Sequence, residues 1–412
     1  MKSSYSINKC QISGSKKLEK ILNLGFLPPV NEYKETKNVK IDKEETFFPA
    51  ELLYCPVSKL FQIGCVVNRN ILFPKTYPYT SSTTKQLRDN FNDLFKKVKK
   101  IVNLSKNDLV IDIGSNDGNL LSNFLGTCKV LGITPENIGK IAIKRGVPTL
   151  LRYFDNSCAK IILKKYQKAK IITATNVFAH IDKPLELLKS IIQCLDEKDG
   201  VFISESHYLM SLIETLQYDT IYHEHLRYYS LSSIKYLFDK FNLKIFYVER
   251  IKTHGGSIRI YASKSSKYKI DASVLKTLRT ENKKLSKNKI EDFVKKVKKS
   301  KLELLKILTD LKLKNKKIFG VGSPSRASTL INYVGIDNSI LDYILEIEGS
   351  YKIGKNMPGT TIPVVNEKIL KKNTPDYLLI LSWHISSELI KNFKKKGFKG
   401  KFIIPLPKPK IL

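Results

Sequence analysis

No apolar run in this chain approaches the roughly 18–20 residues that a bilayer-spanning helix needs. The N-terminus, MKSSYSINKC, also lacks the apolar core of a secretory signal. The expectation is a soluble, cytoplasmic protein with no membrane partner. Cysteine is scarce, six in 412 residues and without dense spacing, which argues against a disulfide framework. Acidic residues are few as well: 38 Asp+Glu face 72 Lys+Arg, a formal net charge of +34. Charge concentrated on one element would point to nucleic acid. Here lysine is spread along the whole chain, so the excess is read as solubility and general attraction to phosphate-bearing partners, not as a nucleic-acid surface. Hydrophobic residues at 42% and charged residues at 27% are those of a globular protein and exclude wholesale disorder. The length predicts two or three domains of about 150 residues each.

Residues 1–90 read as irregular, with short strand-like runs broken at Leu27-Pro28-Pro29, Phe48-Pro49 and Tyr77-Pro78-Tyr79. From about residue 107 the pattern changes. Leu109–Ile113 is a short apolar run closed by Gly114, the signature of a buried parallel strand, and Val130–Ile133, Ile171–Ala174 and Gly200–Ser204 repeat it. Lysine-rich amphipathic stretches lie between these runs, predicting a doubly wound sheet with helices on both faces. After Ile258–Ala262 a helical segment follows, with Ile290, Val294, Val297, Leu304, Leu308 and Leu311 at helical spacing. A second α/β pattern opens at Lys317–Val321. The division expected is an N-terminal lobe (1–75), a central α/β domain (76–265), a helical connector (266–314) and a smaller C-terminal α/β domain (315–412).

The first chemical motif is the strand end Asp112-Ile113-Gly114 continuing through Ser115, Asn116 and Asp117 to Gly118. Glycines at such a turn let the backbone approach a ligand while helix amides face it. The spacing is neither that of the dinucleotide fingerprint nor that of a P-loop. It resembles motif I of class I S-adenosylmethionine (SAM) methyltransferases, which would make Asp112, Gly114, Asn116, Asp117, Gly118 and Asn176 cofactor-binding. The next strand of that fold should end in an acid for the ribose hydroxyls. Thr134 stands there, and one hydroxyl cannot accept two hydrogen bonds as a carboxylate does. Glu136 is a candidate to compensate.

Five of the six histidines, His180, His207, His223, His225 and His254, fall between 180 and 254. Their centre is Tyr222-His223-Glu224-His225. Extended geometry would put His223 and His225 on one side, Tyr222 and Glu224 on the other. Imidazole is the natural general base near neutral pH, and a carboxylate can hold its tautomer. A metal site completed by His254 and a buried structural network are the competing readings. Acid–base catalysis is preferred because Glu205, the run His254-Gly255-Gly256-Ser257 and Arg259 frame the tetrad.

The strings YHEHLRYYSL (222–231) and HGGSIRIY (254–261) resemble the nucleotide-sugar C-methyltransferases of branched deoxysugar biosynthesis. LGFLPPVNEY (24–33), YPYTSS (77–82), VIDIGSNDGNLL (110–121), TNVFAHIDKP (175–184), FGVGSPSRASTLINY (319–333), KNMPGTTIPV (355–364) and LLILSWH (378–384) follow the same family in order. The resemblance implies a class I SAM methyltransferase domain flanked by a zinc-binding-type N-terminal lobe and a Rossmann-like C-terminal domain. It also implies an activity. A proton leaves the carbon beside the ketone of a nucleotide-linked 4-keto-6-deoxyhexose, and the SAM methyl group goes to that carbon. By resemblance His225 is the base, Tyr222 and Glu224 orient it or handle the enolate oxygen, and Tyr79 and His180 line the sugar pocket. His223, His254 and Arg259 complete the substrate side. Ser323, Arg326 (lysine in the family) and Asn332 are expected to hold the nucleotide, with the Arg326 fork on the diphosphate. Trp383 is assigned to packing.

Two departures stand out. The family's lobe carries two C-x-x-C pairs on one zinc; here they read Cys10-Gln11-Ile12-Ser13 and Cys55-Pro56-Val57-Ser58. Serine hydroxyl is a poor zinc ligand at neutral pH, so zinc is not expected. Cys65 could supply a third thiolate but would leave the site open, and Cys128, Cys158 and Cys194 read as core. Thr134 is the other departure. Alternative functions are SAM-dependent methylation of a sugar oxygen or an RNA, and a silent sugar-nucleotide-binding module. RNA binding would fall steeply with salt, and a silent module would show no heat with SAM. If Thr134 occupies the ribose position, Thr134→Asp tightens SAM binding by about tenfold, the worth of a charge-assisted hydrogen bond. Titration calorimetry reads this directly, and an unchanged or weaker affinity would contradict the placement.

Overall fold

The three-dimensional arrangement is a computed structural model that describes residues 3–36, 46–73, 82, 84–135 and 137–412. Tyr79 and Glu136 lie outside the described residues.

Strands covered by helices on both faces must be apolar on both sides. Leu109–Ile113, Ile171–Thr175 and Ser257–Ser263 accordingly are buried at every position. They belong to a seven-stranded sheet. From one edge it runs Thr149–Leu150, Lys129–Ile133, Leu109–Ile113, Ile171–Thr175, Val201–His207, Ser257–Ser263 and Lys244–Ile251. Ser257–Ser263 is antiparallel to both neighbours, and the pairings from Thr149–Leu150 through to Val201–His207 are parallel. The strand order reverses between Leu109–Ile113 and Ile171–Thr175. In open α/β sheets ligands bind outside the carboxyl ends at such a reversal, which places the cleft beyond Asp112 and Thr175. This is the class I SAM methyltransferase fold. The strand Lys244–Ile251 had no counterpart in the sequence reading.

The C-terminal sheet has the order Val364–Asn366, Tyr343–Glu346, Ile318–Val321, Tyr377–Ile380, Lys401–Ile404 and Lys410–Ile411, parallel except at the last pairing. The segment before it holds two helices, Ala272–Lys284 and Lys287–Leu313. The longer one buries Ile290, Phe293, Val297, Leu304, Leu308 and Leu311 along one stripe. That stripe shares an apolar core with Leu22, Leu24 and Leu27 of the N-terminal region and Leu330 and Ile331 of the C-terminal one.

The N-terminal lobe is more regular than its sequence suggests. Glu19–Leu27, Phe48–Cys55 and Leu60–Ile63 form an antiparallel sheet. Its fourth strand is Arg227–Tyr228, paired to Gln62 and Phe61. The strand directly after the Tyr222–His225 tetrad is thus built into the lobe. Among the described residues no helix is long and apolar enough to cross a membrane.

The lobe brings together the four residues at the zinc-type spacing and closes them on each other. Cys10 Sγ and Ser58 Oγ are 3.1 Å apart, and Ser13 Oγ and Cys55 Sγ 3.4 Å. Burial raises the Cys55 thiol, but hydrogen bonds from Ser13, Ser58 and Cys10 outweigh it and leave its pKa below the usual value. Two thiols and two hydroxyls do not fit a structural zinc, which needs four strong donors. Cys65 instead packs with Phe48, Val67 and Leu72. Cys158 and Cys194 are core residues, and Cys128 is only partly buried. Elemental analysis of purified protein is expected to find less than about one-tenth of a zinc per chain, whereas Ser13→Cys with Ser58→Cys binds about one, a closed tetrathiolate site. Stoichiometric zinc in the unaltered protein would overturn this account.

Candidate active site

A cavity of about 1400 Å³ opens beyond the carboxyl ends of the central strands. Its first wall includes Asp112, Gly114, Ser115, Asn116, Thr134 and Asn176. Gly114, Asn116 and Asn176 all have left-handed backbone (φ 74°, 51° and 57°), turning the chain sharply at each strand end. Asp112 is buried and accepts a hydrogen bond from Thr173 Oγ1 at 2.6 Å. Burial pushes its carboxyl up to about 7, the Thr173 bond opposing and the Glu205 charge adding to the rise. Among the described residues, the buried Asn176 Oδ1 and Ser115 Oγ have no hydrogen-bond partner. A raised carboxyl without a cation and orphaned polar atoms are features that an amino-acid-bearing, cationic group such as SAM would satisfy.

The second wall is made by histidines. The tetrad is not extended: His225 N–H donates to Tyr222 C=O at 2.9 Å, closing a turn. Tyr222 and His225 therefore share a face, with rings 4.2 Å apart, and His223 points elsewhere. His223 Nε2 donates to Pro49 C=O at 3.1 Å, and its ring meets Phe48 edge-on. His225 lies 5.0 Å from His180 and 4.7 Å from His207, and His207 lies 5.4 Å from His254. Among the described residues no three His, Cys, Asp or Glu are arranged to hold a metal. Carbonyl oxygens assign the tautomers. His225 Nδ1 lies 2.8 Å from Thr220 C=O and His180 Nδ1 2.6 Å from Glu224 C=O. A carbonyl only accepts, so both Nδ1 atoms carry the proton and both Nε2 atoms keep a lone pair.

The His225 ring is therefore bonded by the Thr220 carbonyl, not by the Glu224 carboxylate expected to orient it. The Glu224 carboxylate instead accepts from Asn31 Nδ2 at 2.7 Å, and Asn31 Oδ1 accepts from Ser325 Oγ at 3.0 Å. Burial lowers the pKa of every imidazole here. His180 falls to about 4, with the Arg227 charge adding to burial, and His254 to about 4, with Arg326 and His180 adding. His384, also on the wall, falls to about 3 through burial, Arg326 and His254. His225 and His207 lie well below the usual value for the same reasons. Burial holds Tyr222 well above its ordinary value, so its hydroxyl stays protonated.

Several expected ligands are committed elsewhere. Arg259 is buried, its guanidinium 2.8 Å from Glu205 and bonded to Asn90 Oδ1 at 2.7 Å. Arg326 lines the cavity, and its Nε and Nη2 are given to Asp219 by two 2.8 Å bonds. Ser323 gives both its N–H and its hydroxyl to Glu346. Asn332 donates to the carbonyls of Ser328 and Pro358. Asp117 pairs with Arg145 at 3.0 Å. A Cβ on Gly118 would lie 2.8 Å from Ala142 Cβ, so this glycine admits a helix rather than a ligand. Sequence reasoning missed Asn31, Asp219, the Thr220 carbonyl and His384. Asn31 and His384 both lie in quoted motifs, LGFLPPVNEY and LLILSWH. Asp219 and Thr220 carried no signal.

Three family models match in order: "Putative zinc binding domain" at residues 10–73, "Methyltransferase domain" at 79–248 and "C-methyltransferase C-terminal domain" at 252–407. The C-methyltransferase NovU of Streptomyces niveus is 27% identical over 418 residues, 98% of this chain and 97% of that protein. Among solved structures, a SAM-dependent methyltransferase from Clostridium acetobutylicum covers 45% of this chain and 94% of its own, at 15% identity and TM-score 0.34. The magnesium protoporphyrin IX methyltransferase of Synechocystis with bound SAM covers 43% and 79%, at 12% identity and TM-score 0.33.

Histidines held neutral by the fold make stability depend on pH. Their folded pKa values lie below the unfolded value near 6.5, so the unfolded chain binds more protons as pH falls and stability declines from about pH 6.5 toward 4. Urea unfolding at pH 7.5, 6 and 5 is expected to show midpoints dropping in that order. A midpoint constant over this range would contradict the buried neutral cluster.

Proposed function

We propose that this chain, a SAM-dependent C-methyltransferase, methylates the carbon beside the ketone of a nucleotide-linked 4-keto-6-deoxyhexose. The observation that carries the reading is the His225 imidazole. Its Nδ1 proton is fixed on the Thr220 carbonyl, and its Nε2 lone pair is left in the cavity that also holds the Asp112–Asn176 cleft.

Asp112, Gly114, Asn116, Thr134 and Asn176 would hold SAM, which when bound supplies an electrophilic methyl group. With SAM bound, the Asp112 carboxylate would complement its methionyl ammonium, a cation that favours the ionised carboxyl. Asn176 Oδ1, which has no partner among the described residues, would accept a hydrogen bond there. On the sugar side, His225 Nε2 takes the proton from the carbon beside the ketone. The negative charge then moves to the ketone oxygen, and the enolate needs donors in a dry site. The Tyr222 hydroxyl, kept protonated on a ring 4.2 Å from that of His225, is the donor proposed. His180 Nε2 and His254 complete the polar lining around the sugar, and Glu224, tied to Asn31, fixes the turn that carries both reacting side chains.

A base with a pKa well below 7 is fully deprotonated at neutral pH but intrinsically weak, so enolate stabilisation has to supply much of the driving force. His225→Ala is expected to lower kcat by about 10³-fold, the worth of a general base, with SAM affinity changed less than about twofold. Mass spectrometry of nucleotide-linked 4-keto sugars incubated with protein and SAM reads the gain of one methyl group. Solvent deuterium exchange at the same carbon reads the proton step. Full turnover by the alanine variant would retire His225 as the base.

A further inference from the structure

Asp219 is fully buried in the short turn Tyr218–Thr220, directly before the tetrad. Its carboxylate is clamped by two side chains from the C-terminal domain. Arg326 donates Nε and Nη2 to its two oxygens at 2.8 Å each, and Trp383 donates Nε1 at 2.7 Å. The Arg326 guanidinium also stacks on the Trp383 ring at 4.8 Å. Gln217 extends the clamp on the other side: Oε1 accepts from Arg326 at 3.1 Å, and Nε2 donates to Gly255 C=O at 2.7 Å, next to His254. The residue after Asp219 is Thr220, whose carbonyl holds His225 Nδ1.

We infer that Asp219 is the positioning residue for the proposed base, its clamp by Arg326 and Trp383 fixing the 218–225 segment so that His225 Nε2 faces the cleft. The inference rests on the reading of His225 as base. A buried bidentate ion pair is seldom worth its desolvation as a source of stability alone, and this one joins the catalytic turn to a separate domain. It also sets charge. The groups facing His225 are Tyr222 and Tyr228 from its own segment, His180, His207 and His254 from neighbouring elements, and Arg326. Arg326 is the cation among them, and Asp219 neutralises it. With Asp219 made neutral, the uncompensated guanidinium disfavours imidazolium and weakens His225 as a base.

Trp383 is the only tryptophan in the chain, so its fluorescence reports on the clamp itself. Asp219→Asn keeps the shape and removes the charge. The expected results are altered Trp383 emission, faster amide exchange across 218–225, and a kcat about 10–100-fold lower with SAM affinity within about twofold, the pattern of a lost transition-state interaction. The acid limb of the kcat profile is expected to move to lower pH, a change that general loosening would not produce. Where this variant fails to fold, Trp383→Phe removes one hydrogen bond and keeps the ion pair. Its expected effect is faster exchange with a several-fold loss of kcat. Changed emission and exchange with unaltered kcat and pH limb overturns the positioning role. Unchanged emission and exchange overturns the clamp. An active His225→Ala variant would fail the base reading separately, because emission and exchange are measured without turnover.

Discussion

One hydrogen bond, from His225 Nδ1 to the carbonyl of Thr220, decides what the site can do. In a neutral imidazole one nitrogen carries the proton and the other a lone pair, and a carbonyl partner leaves no choice between them. That bond holds only if the turn that carries it is rigid, and much of the architecture serves that end. Leu226 N–H donates to Ala179 C=O, and Ile63 N–H donates to Leu226 C=O. Arg227, fully buried, bonds Tyr229 Oη and Gln11 Oε1 at 2.9 Å each and also reaches the carbonyls of Phe178 and Ile181. The lobe and the residues after Ile171–Thr175 thus meet on Leu226 and Arg227, while the C-terminal domain holds the same segment at Asp219. None of these contacts touches the cavity chemistry directly, yet each limits where His225 Nε2 can point.

The electrostatics of the cavity are lopsided in a way that its ligands can complete. At one end no cation among the described residues offsets the burial of Asp112, and burial drives its carboxyl up to about 7. At the other end the imidazoles are suppressed by burial and by Arg326 and Arg227, and His180 and His254 fall to about 4. A cationic group at the first end lowers the cost of the Asp112 charge. Negative charge developing at the second end makes protonated imidazole easier to form. The two ends of the cavity thus differ in sign, and the methyl donor and enolate-forming acceptor of the proposed reaction would complement both.

The sequence was legible where a residue's environment is fixed by its near neighbours. Leu109–Ile113 and Ile171–Ala174 declared buried strands because both faces must be apolar, and the stripe from Ile290 to Leu311 declared a helix packed along one side. It was illegible where a distant partner decides. Arg259 and Arg326 looked like ligand-binding cations because their counter-ions, Glu205 and Asp219, lie 54 and 107 residues away. The extended reading of Tyr222–His225 failed because a single backbone bond turns the chain, and residue alternation carries no trace of it. Gly118 looked like a place for a ligand to approach, whereas the approaching group is Ala142. The lobe's fourth strand could not be read within residues 1–75 because it is Arg227–Tyr228.

The same contacts explain how the lobe can serve the site without a tetrathiolate. What the 222–225 turn takes from it is positional: Gln11 held where Arg227 can reach it, and Gln62 in register with Arg227. Gln11 N–H is itself bonded to Gln62 Oε1 at 3.0 Å, so the two demands are one unit. That unit rests on Cys10, Ile12, Cys55 and Leu60, which are buried in the core that also contains Tyr229 and Phe178. A metal at this knuckle would add folding free energy, whereas the position of Gln11 is already set by apolar packing and by the Cys10–Ser58 and Ser13–Cys55 bonds. Exchange of two thiols for hydroxyls therefore bears on the lobe's stability more than on the geometry at His225, which is why an intact tetrad and an altered knuckle are compatible in one chain.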